Sequence, residues 1–154
     1  MASPTPSVLT LNGGSSSIRF AIYEAAKAPR RGLRGKIDRI GLSGTNLVVT
    51  DSSGKAQAPR LLTAANHRTA VGFLFNWLEK QPVFGSIQAV GHRVVHGMTH
   101  TEPERVTRKL LAELRRVTPY DPDHLPREME LIEAIAQRHP KLFQVACFDT
   151  AFHR

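Results

Sequence analysis

The apolar positions of this chain follow two periods. Val8-Leu9-Thr10-Leu11 and Ile18-Arg19-Phe20-Ala21-Ile22-Tyr23 are short runs rich in strand-forming residues, and the second begins by alternating apolar with polar. The Gly/Ser segment 12–17 between them predicts a hairpin. A basic loop follows at 25–32. Residues 33–40 and 47–51 read as two more strands, with turn signals at Gly41-Leu42-Ser43-Gly44 and Ser52-Ser53-Gly54. The period then lengthens. Over 67–80, Ala70, Val71, Leu74, Trp77 and Leu78 share one helical face. Residues 87–95 return to a Val- and Ile-rich strand. Leu110, Leu111, Leu114 and Val117 predict a helix over 107–117 with Thr107 as its N-cap. Met129, Ile132, Ile135 and Ala136 predict another over 125–137, with Asp123 or His124 before its first turn, Pro126 at its start and Pro140 beyond its end. Phe143–Phe148 is a last, largely apolar strand.

Strands first, then helix, strand, two helices and strand describe an α/β domain. Its mixed sheet joins an antiparallel meander to strand-helix-strand crossovers, with helices packed on it. The expected organisation is a flexible tail at 1–6 and one domain over 7–154. Directly after a strand that reads as buried, the sequence reaches Asp149-Thr150-Ala151-Phe152-His153-Arg154. A helix would ordinarily follow to cover such a sheet, so this end reads as a truncation of the domain.

Composition narrows the function classes. No apolar run approaches the ~20 residues that span a bilayer, and the first residues carry neither the basic nor the apolar region of a secretory signal. The single cysteine, Cys147, has no internal disulfide partner. These features together point to a cytoplasmic protein with no membrane association. The net charge of +8, from 21 basic and 13 acidic residues, raises nucleic acid as a partner. However, the arginines are scattered and no basic stripe is interleaved with aromatic residues, so no nucleic-acid role is expected.

Four segments could carry chemistry. Asn12-Gly13-Gly14-Ser15-Ser16-Ser17 offers close backbone approach, N–H groups and hydroxyls to a phosphate, and an Asn carbonyl to a metal; equally, it is a polar hairpin turn. It lacks the Lys and the spacing of a P-loop. In Gly91-His92-Arg93-Val94-Val95-His96-Gly97, strand alternation sets Arg93 and Val95 on one face and His92, Val94 and His96 on the other. A guanidinium beside a small apolar wall suits a short carboxylate, although a structural ion pair would use the arginine equally well. On a helix His92, His96 and His100 would line up as metal ligands, but the valines and glycines favour a strand and exclude that reading. Asp121-Pro122-Asp123-His124-Leu125-Pro126 is a Pro-braced turn presenting His124, either as a site residue or as part of a capping turn. Asp149 follows a core strand, where α/β sheets place catalytic groups; there it would also serve to cap a following helix.

In this order and spacing, from about Val8 to the last residue, the segments resemble the acetokinase family. Asn12-Gly13-Gly14-Ser15-Ser16-Ser17-Ile18-Arg19 is similar to its amino-terminal signature and Gly91-His92-Arg93-Val94-Val95-His96-Gly97 to its arginine-bearing strand. Pro122-Asp123-His124-Leu125-Pro126 resembles its Pro-x-His-x-Pro turn, and Phe148-Asp149-Thr150-Ala151-Phe152-His153 its aspartate motif. The resemblance implies a ribonuclease-H-like domain of the actin and hexokinase type, and Mg²⁺-dependent conversion of ATP and acetate to ADP and acetyl phosphate. It further implies a homodimer, with ATP, ADP and acetate, propionate or butyrate as small-molecule partners. By position, Asn12 would help hold Mg²⁺, and Ser15, Ser17 and Arg19 would face nucleotide phosphates. Arg93 would bind the substrate carboxylate, Val95 would line its methyl pocket, His124 would lie beside the transferred phosphoryl group, and Asp149 would be the essential acid.

The chain departs from the pattern at Arg19, where the family usually has Lys, at Met98, where a second glycine is usual, and at Asp123, which replaces an apolar residue of the methyl pocket. Family members are well over twice this length. The remaining phosphoryl-gripping and adenosine-binding groups therefore lie beyond Arg154, so the fragment is expected to be inactive alone. The alternative is a remnant that binds anions or a partner without catalysis.

Overall fold

The computed structural model describes residues 5–64, 66–95, 100 and 102–149. Among the described residues, eight strands form one mixed sheet: β1 (Ser7–Gly13), β2 (Ile18–Glu24), β3 (Arg30–Asp38), β4 (Asn46–Thr50), β5 (Arg60–Leu61), β6 (Ile87–Val94), β7 (Glu104–Arg105) and β8 (Phe143–Phe148). Their order across the sheet is β5-β4-β3-β2-β1-β6-β8-β7. The first five strands form the antiparallel meander, while β6 runs parallel to both β1 and β8. The crossovers contain, among the described residues, the helices α1 (His67–Glu79), α2 (Arg108–Val117) and α3 (Leu125–Arg138).

Alternation along the strands sends one set of side chains to a common core. Leu9, Leu11, Ile18, Phe20, Ile22, Ile37 and Val90 pack there against Val71, Leu74 and Phe75 of α1 and Leu131 and Ile135 of α3. A second cluster joins Val94, Ala146 and Phe148 to Leu110 and Leu114 of α2 and Leu125 and Met129 of α3. The helices start where the sequence signals them: Asn66 accepts from the Thr69 N–H for α1, and Thr107 from the Leu110 N–H for α2. The opposite sheet face stays partly open, and Thr10, Asn12, Arg19, Ala21, Gly91, Arg93 and Cys147 line it.

Three differences from the sequence reading have local causes. Strand β3 begins at Arg30, inside the segment expected to be loop, because Arg30 lies opposite Glu24 and Arg31 opposite Tyr23 on β2. Strands β5 and β7 have two residues each, too few for any alternation to register. Strand β7 pairs along the outer edge of β8, and Arg105 stacks over the Phe143 ring at 4.6 Å. Among the described residues no helix is long and apolar enough to cross a membrane.

Candidate active site

Parallel pairing brings the carboxyl ends of β1, β6 and β8 to one edge. Leu11 lies opposite His92, and Arg93 opposite Cys147, so Asn12, Arg93 and Asp149 emerge side by side. Antiparallel pairing adds Arg19, directly across β2 from Asn12. The β1–β2 turn is closed by the Gly14 N–H donating to the Ser17 carbonyl at 2.7 Å. A Cβ on Gly14 would stand 2.8 Å from the Ser17 hydroxyl, too close without a shift. Arg127 of α3 ties the turn down from below by donating to the Ser15 carbonyl.

One cleft of about 410 Å³ gathers most of the expected residues: Asn12, Ser17, Arg19, Arg93, Val95, His124 and Asp149 line it together with Gly13 and Gly14. Ser15 is the exception. It is exposed and outside this lining, and its carbonyl is the part the structure uses. Asp123 is also exposed and outside the lining, so its carboxylate does not form the pocket wall. Met98, His96 and the segment 150–154 of the aspartate motif lie outside the described residues.

Arg93 and Asp149 form a bidentate pair. The Nε–H donates to Oδ1 at 2.8 Å and the Nη2–H to Oδ2 at 2.9 Å. The ion-pair reading of Arg93 is thus correct for its Nε–Nη2 edge. Five guanidinium N–H groups are available, and the remaining Nη1–Nη2 edge can still meet a second carboxylate. His124 precedes α3 and is oriented by a 2.9 Å contact between its Nδ1 and Asp121 Oδ1, which leaves Nε2 for the cleft.

Of the histidine series, His92 and His100 are described, and each is engaged away from the other. His92 points into the core, where burial pushes its pKa down to about 4 and its Nε2 lies 2.6 Å from Gln144 Oε1. His100 instead contacts Glu104 at 2.5 Å and Glu113 at 2.7 Å, and stacks on Phe148. Among the described residues no three His, Cys, Asp or Glu side chains form a metal cage. Mg²⁺ does not require one, because it is commonly held by one or two protein oxygens with phosphate oxygens and water. Asn12 fits that role: it lines the cleft, and its side-chain amide has no protein partner among the described residues.

Sequence reading missed Glu128. This residue is 2% exposed, and its carboxylate accepts from the Val95 N–H at 3.0 and 3.2 Å. The available signal was its position. Leu125, Glu128, Ile132 and Ile135 form one buried stripe of α3, and Glu128 is the charged member.

A meander followed by strand-helix-strand crossovers, with polar groups gathered at the ends of the parallel strands, defines an α/β domain of the ribonuclease-H-like kind. The acetokinase family model matches residues 7–154, so the chain belongs to that family. It is 39% identical over 150 residues to an acetate kinase of Rhodopseudomonas palustris, a match covering 95% of this chain and 38% of that protein. An acetate kinase of Deinococcus radiodurans is 40% identical over 147 residues, covering 95% and 36%. Among solved structures, acetate kinase from Porphyromonas gingivalis superposes with a TM-score of 0.82 at 30% identity, covering 96% of this chain and 38% of that one. A propionate kinase from Francisella tularensis gives the same TM-score and coverage at 28% identity. The chain therefore spans well under half the length of these relatives.

Proposed function

We propose that this chain forms the carboxylate-facing part of a short-chain carboxylate kinase site, with acetate as the leading substrate. The observation that carries the reading is the shared cleft of Arg93, Val95, His124, Asp149, Asn12 and Ser17. In the reaction, a carboxylate oxygen of the substrate attacks the γ-phosphorus of ATP. The new O–P bond gives the acyl phosphate, the bond to the β-phosphate oxygen breaks, and ADP leaves with the electron pair. Arg93 binds the substrate carboxylate through its outer edge while Asp149 fixes the inner edge, and Val95 meets the alkyl end. Arg19, the Ser17 hydroxyl and His124 face the charge spread over the phosphoryl oxygens. Mg²⁺, held partly by Asn12, supplies neutralisation of the phosphates when bound.

Such transfer depends on groups placed on both sides of the phosphoryl group. The 154-residue chain alone is therefore expected to make negligible acyl phosphate from acetate, propionate or butyrate, as read by hydroxylamine trapping. The decisive experiment grafts residues 7–154 in place of the matching segment of the Rhodopseudomonas palustris relative. Acetate-dependent turnover that Arg93→Ala abolishes supports the reading. A folded but inactive chimera, or one indifferent to Arg93→Ala, overturns it.

A second reading, anion binding without catalysis, is favoured by a neighbouring hollow of about 300 Å³ lined by Arg19, Arg31, Arg34 and Lys36. A folded, inactive chimera would leave this reading in place.

A further inference from the structure

The acetokinase reading assigns no role to Glu128, yet its position is constrained from several sides. It lies in the first turn of α3, 2% exposed, with both carboxylate oxygens directed at the Val95 N–H. Val95 lines the cleft, and so do Arg93, His124 and Asp149. The buried carboxyl is therefore one hydrogen bond away from the proposed substrate pocket.

The charged groups around Glu128 are unevenly balanced. From β6 comes Arg93, half exposed and already paired with Asp149, the residue directly after β8. From the turn before α3 come Asp121 and His124, which are paired with each other. Asp121 is itself buried, and its Oδ2 has no partner among the described residues. Further along α3, Glu130 faces His67 of α1 and Glu133 binds Arg115 of α2, so those basic side chains are committed elsewhere. Among the described residues, three carboxyl groups thus surround one guanidinium and one histidine. A fourth carboxylate entering on Arg93 would add negative charge beside Glu128 and Asp121, two carboxyl groups buried away from screening water.

Resting on the proposed carboxylate site, we propose that Glu128 is a positioning residue that couples substrate binding to proton uptake: it holds Val95 in either protonation state, and the pocket accepts an anionic carboxylate when Glu128 is neutral. The geometry permits this because a neutral carboxyl keeps a carbonyl oxygen able to accept from the Val95 N–H. Protonation changes the charge and leaves that contact in place. Burial pushes the Glu128 carboxyl up to about 7, with Asp121 and Asp149 adding to the rise against the Val95 N–H and His124. The proton is therefore exchangeable near neutrality. An apolar residue here would leave the Val95 N–H unpaired, whereas a permanently ionised one would repel the substrate.

The test uses the ¹⁵N-labelled chain titrated with sodium acetate between pH 6 and 8.5, following the Val95 amide and the Arg93 Nε–H. In the wild type, acetate affinity should fall above about pH 7, approaching tenfold per pH unit for one linked proton. Glu128→Gln keeps the acceptor but cannot ionise. It should bind as the wild type does at pH 6 and lose most of the pH dependence. Calorimetry of the wild type in two buffers of different ionisation enthalpy gives a check independent of any variant: proton uptake should be about three-quarters of a proton per acetate at pH 7.5 and approach one at pH 8.5. Acetate binding with flat affinity and no proton uptake would overturn this inference alone. A slope that persists in Glu128→Gln would assign the proton to another group, His124 first, and overturn it as well. Absence of acetate-dependent shifts at any pH would overturn both this inference and the carboxylate site on which it rests.

Discussion

Arg93 meets Asp149 edge to edge across the ends of β6 and β8, with Nε and Nη2 both donating to the carboxylate. Asp149 is 19% exposed and the Arg93 side chain 52%, so the pair is anchored on its acidic side and open on its basic side. A carboxylate ligand arriving there, as proposed, would meet a guanidinium whose orientation is already fixed, but whose charge is partly compensated.

Opposite effects follow from the two halves of this pair. Arg93→Ala should weaken acetate binding to the purified chain by about 10- to 100-fold, the range expected for charge-assisted hydrogen bonds worth about 1.5–3 kcal/mol. Asp149→Asn should instead tighten acetate binding several-fold, by removing a like charge, while leaving the guanidinium less well oriented. Chemical-shift titration checks both variants. Weaker acetate binding in Asp149→Asn would mean that Asp149 acts mainly by orienting Arg93.

The elements most legible in the sequence were those whose burial is periodic. Leu74 and Leu78 announced α1, Thr107 announced the start of α2, and the apolar run at Phe143–Phe148 matched β8 at both ends. The site was legible where a backbone pattern fixed the side chain, as with Arg93 alternating against buried His92 and Val94. It was less legible where the deciding partner is distant in sequence. Nothing near Ser15 shows that Arg127 grips its carbonyl, and nothing near Val95 shows that Glu128 accepts its N–H. Asp123 and Glu128 are both acidic residues of the same turn-and-helix segment, and only helical geometry decides that Glu128 turns inward.

Arg127 should matter more to the β1–β2 turn than to the fold. Its guanidinium reaches the Ser15 carbonyl from α3, while the core beneath is apolar and independent of it. Arg127→Met should therefore cost at most about 1 kcal/mol in urea unfolding, as expected for one partly exposed hydrogen bond. It should also speed amide exchange in segment 14–17 relative to the rest of β1 and β2. Unchanged exchange there would mean that the turn is held by its own Gly14–Ser17 hydrogen bond.

The buried His92 sets a pH limit on stability. Its pKa falls from 6.5 to about 4 because burial disfavours the imidazolium, and the Gln144 hydrogen bond offsets this in part. The folded state thus binds fewer protons than the unfolded chain between these values. Stability from this group is full above pH 6.5 and is lost as pH falls toward 4. The loss should reach about 3 kcal/mol, at roughly 1.4 kcal/mol per pH unit. His92→Gln, which cannot titrate, should flatten the acid limb of a urea-midpoint profile. An equally steep limb in that variant would assign acid lability to other groups.

Gly35 offers the sharpest test of packing in the meander. It lies on β3 opposite both Phe20 of β2 and Val49 of β4. A Cβ there would stand 3.0 Å from the Phe20 ring and collide with the Val48 carbonyl. The ring has little room to retreat, since it packs against Trp77 of α1 with centroids 5.7 Å apart. The Val48 carbonyl belongs to β4, whose pairing with β3 holds it in register. Alanine would restrict the unfolded chain and on that account alone should stabilise by about 0.4–1 kcal/mol. Overpacking of a filled site typically costs about 1–3 kcal/mol and should win here. Gly35→Ala should therefore lower the urea midpoint without changing the denaturant slope. The same substitution at Gly85, where an added Cβ meets nothing within 4 Å, should be close to neutral. A Gly35→Ala variant as stable as wild type would show that β3 and β4 can part enough to admit a methyl group.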